Sequence, residues 1–140
     1  MSATGLEVFD RTLQDTNIWL DEIMQVIGPD RKRAFHVLRA VLHSLRDRLT
    51  VEEATHLSAQ LPLLIRGVYF EGWRPSSTPR RERTQEEFLN IVGEQMHGIR
   101  PASPMEGARA VFSVLSKHVS AGEIAQVKAM LPKPIASLWP

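Results

Sequence analysis

RAVLHSLRDRLTVEEATHLSAQLP, from Arg39 to Pro62, returns as RAVFSVLSKHVSAGEIAQVKAMLP, from Arg109 to Pro132. The offset is 70 residues and holds without a gap from Arg39 to Tyr69, or from Arg109 to Trp139. Nine of these 31 paired positions are identical: Arg39, Ala40, Val41, Leu45, Glu53, Ala59, Leu61, Pro62 and Ile65 match Arg109, Ala110, Val111, Leu115, Glu123, Ala129, Leu131, Pro132 and Ile135. An internal repeat governs architecture before any local motif does. Both copies are helical. Phe35, Leu38, Leu42, Leu45 and Leu49 alternate spacings of three and four, as do Met105, Ala108, Phe112, Leu115 and Val119. Each set is one apolar stripe facing a core.

The next four residues in each copy, TVEE from Thr50 and SAGE from Ser120, place a hydroxyl at an N-cap and a glutamate three residues later. This predicts a capping box, in which the hydroxyl accepts from the N3 amide and the glutamate reaches back. TQEE at Thr84 and SPME at Ser103 read the same way. Gly28 ends a helix and Asp30 caps the next one. Pro62 and Pro132 close their helices and suit the first turn of a short following one. Pro134, where the first copy has Leu64, predicts a shorter last helix.

Upstream, Trp19, Leu20, Ile23 and Ile27 match Phe88, Leu89, Val92 and Met96, and a further amphipathic stretch, Leu6 to Leu13, precedes them. No segment alternates like a strand. The expectation is an all-α, compact helical bundle of about eight helices in two similar halves related by a pseudo-two-fold. It forms a single domain over 1–140, with internal repeats 17–69 and 86–139. An Arg/Pro/Ser-rich loop, 71–84, joins them. A half of about 55 residues is marginal alone, which favours one shared core.

The bulk composition excludes several functions. The chain has 140 residues, a net charge of +1 and no cysteine. Disulfides, thiolate zinc sites and cysteine nucleophiles are therefore absent, and no signal or membrane-spanning stretch is seen. A cytoplasmic location is expected, with no membrane partner. No serine sits in a nucleophile elbow, and there is no phosphate-binding glycine loop. The chain is not expected to be an enzyme, and no cofactor is indicated.

Four groups of residues remain as candidate sites. Glu53 and His56 have the Glu-x-x-His spacing that puts both ligands on one helix face in di-iron bundles. That site needs a second such pair, and Gln126 stands where the second histidine would be. The duller expectation is a capping glutamate and a surface histidine. Arg80, Arg81 and Arg83, with Arg74, make the linker basic, but near-neutral net charge argues against nucleic acid as a partner. Tyr69, Phe70 and Trp73 mark a partner site if exposed and anchor the loop if buried; burial is the expectation. Arg39 and Arg109 are the polar identities that neither core nor caps explain, a structural ion pair being favoured over a ligand grip. His36, Arg39, His43 and Arg46 read as a solvated polar face.

From LEVFDRTLQ to LWP, with LRAVLHSLRDRL, AQLP, EGW and HVSAGEI in order, the chain closely resembles the bacterial family catalogued as domain of unknown function 2267. The resemblance implies a compact helical cytoplasmic protein and carries no catalytic residue or ligand across. The function expected is a non-catalytic protein-interaction or regulatory/stress-associated module, with a protein partner or homodimer. The alternatives are a nucleic-acid or phosphate-ligand binder through the basic loop, and a metal-binding helical protein around Glu53 and His56.

Overall fold

A computed structural model describes residues 3–98 and 102–140. The described residues form eight α-helices and no strand: α1 (Glu7–Ile27), α2 (Arg31–Arg48), α3 (Val51–Ser58), α4 (Leu63–Phe70), α5 (Gln85–Gln95), α6 (Pro104–His118), α7 (Ala121–Met130) and α8 (Lys133–Ala136). None is long and apolar enough to cross a membrane. The all-helical expectation is met. One detail differs: Leu6–Leu13 is not a separate element but the start of α1, because nothing between Gln14 and Asn17 breaks a helix.

Helix α2 sits at the centre, packed against α1, α4, α5 and α6. Its stripe residues Leu38, Leu42 and Leu45 and its C-cap Leu49 are buried, as are Ala108, Phe112 and Leu115 of α6 and its C-cap Val119. The two helices approach closely at Gly107, where an added Cβ would stand 2.9 Å from Val37 Cγ1. Gly107→Ala sets a helix-propensity gain of up to ~1 kcal/mol against an overpacking loss of ~1–3 kcal/mol. Val37 is fully buried and has little room to yield. The expected result is a net loss of about 1 kcal/mol, read from a urea unfolding curve.

The terminal segment also belongs to this core. Trp139 is buried and stacks on Phe112, with ring centroids 4.2 Å apart. Helix α8 is four residues long against eight in α4, as Pro134 foretold.

The expected solvated face of α2 is partly wrong. His43 and Arg46 are buried, because the C-terminal end of α4 docks on them. Arg46 Nη1 donates to the carbonyls of Tyr69 and Glu71, each at 2.8 Å, and its Nε donates to Asp47 Oδ1 at 2.8 Å. His43 Nε2 bonds the Val68 carbonyl at 2.7 Å. The last carbonyls of a helix lack partners within it, and α2 supplies them. The linker is tied to the same end of α2: Arg80 N donates to the Asp47 carbonyl, and Arg48 Nε to the Glu82 carbonyl.

Candidate functional site

The site begins at two helix N-termini. Thr50 and Ser120 cap α3 and α7 as expected, their hydroxyls accepting from the amides of Glu53 and Glu123. The glutamates do not complete the box. Only Thr84 with Glu87 forms the reciprocal pair among the four predicted, the Glu87 carboxylate returning to the Thr84 amide at 3.1 Å. Hydrogen bonds from the Arg83 and Thr84 amides hold the Glu87 carboxyl below the usual carboxylate range. Glu53 and Glu123 instead turn inward, into the seam where α3 meets α7. Their side chains are only 9% and 1% exposed.

The seam is held at one end by Gln60, whose amide accepts from Ser120 N at 2.8 Å and donates to Ser120 Oγ at 3.1 Å. The C-terminal end of α3 thus lies against the N-cap of α7, and His56 is carried to Glu123. His56 Nδ1 stands 2.6 Å from Glu123 Oε1 and 3.6 Å from Glu53 Oε2. The 2.6 Å contact is short but not directed as a hydrogen bond: neither Glu123 oxygen, nor Glu53 Oε2, has a hydrogen-bond partner among the described residues. Burial and the facing Glu123 carboxylate push the Glu53 carboxyl up to about 7. The same Glu123 carboxylate raises His56, which remains more than half exposed. The result is two buried acids and one solvent-accessible base, with ligand atoms all within 4.8 Å of one another.

The other candidates do not gather here. Arg39 pairs with Glu71 at 3.2 Å, both groups substantially exposed. Arg109 is exposed and lines a surface hollow with Ser137, Leu138, Trp139 and Pro140. Arg39 therefore lies beside the chain that follows α4 and Arg109 beside the chain that follows α8, with no shared ligand site described between them. Tyr69 is fully buried and its hydroxyl donates to the Ala54 carbonyl at 2.8 Å, while Phe70 and Trp73 are half-buried against each other. The aromatics anchor the loop.

In the linker, Arg80 pairs with Glu82 at 2.6 Å and Arg81 is exposed. The Arg83 amide donates to Glu87. Arg74, Ser77, Thr78 and Arg80 line a hollow of 240 Å³ that also contains Asp47. A carboxylate inside it works against an anion.

Sequence reasoning named Glu53 and His56 but missed Glu123. A signal was there: the glutamate is one of the nine identities between the copies. Its capping position supplied a sufficient local reason, and only the tertiary seam shows that the side chain is used elsewhere.

The fold and site define a small helical protein with a buried carboxylate pair opened to solvent by one histidine. The chain belongs to a family: the model described as "Uncharacterized conserved protein (DUF2267)" matches residues 16–138. Among curated proteins, none matches it.

Proposed function

We propose that this protein is a non-catalytic interaction module that pairs with a second copy of itself through the start of α1 and the start of α4. The observation that carries this reading is an apolar overhang. The inward face of α1 runs through Thr12, Thr16, Trp19 and Ile23, all buried. One turn earlier on the same face, Val8 and Phe9 are 55% and 46% exposed. Leu64 N donates to Thr12 Oγ1 at 2.8 Å, which locks the first turn of α4 beside them, with Leu63 and Leu64 also exposed. Contiguous apolar surface of this kind marks interaction sites, whereas single exposed apolar residues do not. The overhang precedes residue 16, where the family match begins. In an isologous dimer the same patch meets itself across the two-fold, so an apolar overhang on one copy is covered by the overhang of the other.

The proposal includes the finer architecture. The two halves, 17–69 and 86–139, are read as tandem copies related by an approximate two-fold, supported by the nine identities and by the repeated cap-and-stop pattern. It also includes a bacterial, cytoplasmic setting, supported by the resemblance and by the lack of cysteine. The basic-loop alternative is supported less, since Asp47 and Glu82 offset the charge of Arg80 and its neighbours.

Light scattering coupled to size exclusion tests the pairing. A concentration-dependent dimer is expected. Phe9→Glu should weaken it at least about tenfold, since a charge placed at an apolar contact is left desolvated and unpaired. Phe9 is already half in water, so the variant should fold. A strict monomer at high concentration sinks the reading.

A further inference from the structure

The geometry points to a site for one divalent transition-metal ion at the α3–α7 seam, liganded by Glu53, His56 and Glu123. This goes beyond the pairing proposed above and does not rest on it. Three observations combine. First, the ligand set is mixed: two carboxylate oxygens and one imidazole nitrogen, all within 4.8 Å. Second, the carboxylates are nearly or fully buried, and Glu123 has both oxygens without a hydrogen-bond partner among the described residues, the exposed His56 Nδ1 being the one positive group beside it, at 2.6 Å. Buried carboxylates normally accept several hydrogen bonds or face a cation, since desolvation otherwise penalises them heavily. Third, both glutamates are free for this role only because they forgo the capping interaction that Glu87 makes in the same sequence context.

The spacing needs small adjustments only. Zinc lies about 2.0–2.2 Å from imidazole nitrogen and carboxylate oxygen, so ligand atoms around a tetrahedral ion stand about 3.4 Å apart. The 2.6 Å contact between His56 and Glu123 must open, and the widest separation must close. His56 is the member with room to shift, since its side chain is the exposed one. An imidazole in the set favours zinc, cobalt, nickel or copper over magnesium and calcium, which prefer all-oxygen cages of higher coordination number. Three protein ligands leave a position open to solvent on the His56 side.

The sequence offset says what a fourth ligand would be. The offset that aligns Glu53 with Glu123 aligns His56 with Gln126, which is exposed at the matching place on α7. Glutamine ligates weakly. Gln126→His would give each helix a Glu-x-x-His pair, the arrangement that carries metals in four-helix bundles.

The test is calorimetric titration of untagged, chelator-stripped protein with zinc chloride, and separately with magnesium chloride, at about pH 7.5, where the ligands lose their protons to the metal. The expected result is saturable binding of one zinc per chain, with magnesium much weaker. Glu123→Gln and His56→Ala should each weaken zinc at least about tenfold, and Gln126→His should tighten it by a similar factor. Circular dichroism checks that each variant is folded. Three results would overturn the site: no saturable zinc binding, equal affinity in wild type and Glu123→Gln, or equal affinity for magnesium. Because stoichiometry is read per chain, a zinc-binding monomer would sink the pairing and leave the metal site standing.

Discussion

Arg46→Ala is expected to lower the unfolding free energy by about 3–5 kcal/mol, the range for removing one partner of a buried charged network. The guanidinium is nearly inaccessible and bonds two backbone carbonyls and one carboxylate. Its loss leaves the Tyr69 carbonyl with no donor in a buried place, at about 1–3 kcal/mol for such an acceptor. It also opens space under the end of α4. Arg39→Ala is the control. Its pair with Glu71 is exposed on both sides, and such pairs contribute less than about 1 kcal/mol. Arg46→Lys should recover only part of the loss, since an ammonium lacks the planar fork that reaches separate acceptors. Urea unfolding of the three variants checks the ranking. Equal losses at Arg46 and Arg39 would show that the α4 end is not held as described. Native stabilities of roughly 5–15 kcal/mol make the Arg46 effect large enough to endanger folding at body temperature.

Glu123→Gln is expected to do the opposite. The substitution preserves shape, removes one of two facing buried charges and supplies an amide donor toward Glu53. Desolvating a buried ion costs on the order of several kcal/mol, which the neutral amide avoids, and the contact given up in exchange is with an exposed imidazole. The effect depends on pH. Glu53 in the folded protein titrates at about 7 against an ordinary 4.5. An acid whose folded value is raised contributes stability below its unfolded value and loses it as pH rises through the folded value. His56 is raised as well, so its cationic form stabilises at low pH and that contribution is lost on the alkaline side. Both groups therefore make the metal-free protein weaker between about pH 5 and pH 8. His43 acts in the other direction. Burial lowers it, so its contribution is lost as pH falls below the ordinary histidine range. The wild-type curve mixes these trends, and the difference between wild type and Glu123→Gln isolates the seam.

Much of the fold could be read from residues alone. The stripe from Leu38 to Leu49, the caps at Asp30, Thr50, Thr84, Ser103 and Ser120, and the shortening at Pro134 are set by short-range geometry. What could not be read depends on contacts between distant segments. His43 and Arg46 look solvated until α4 is docked on them. Glu123 satisfies a local rule so well that nothing in its own segment suggests a second use, and Glu53 shows one only through its spacing to His56. A hydroxyl cap needs only its own helix, whereas the direction of the N3 glutamate is decided by what lies across from it. For Glu87 that is water, and for Glu53 it is another carboxylate. His56 read as a surface residue and is one; its role comes from a carboxylate 67 positions away, beyond any spacing motif.

Two buried acids that face one another with only the exposed His56 beside them are tested most directly by the thermal unfolding of wild type and Glu123→Gln with chelator present, at about pH 5.5 and about pH 8. Glu123→Gln is expected to melt several degrees higher at the alkaline pH, roughly 2–4 °C for each kcal/mol, with the gap narrowing at the acid pH as Glu53 takes up its proton. A variant that melts lower than wild type at the alkaline pH, or a gap that does not change with pH, would contradict it.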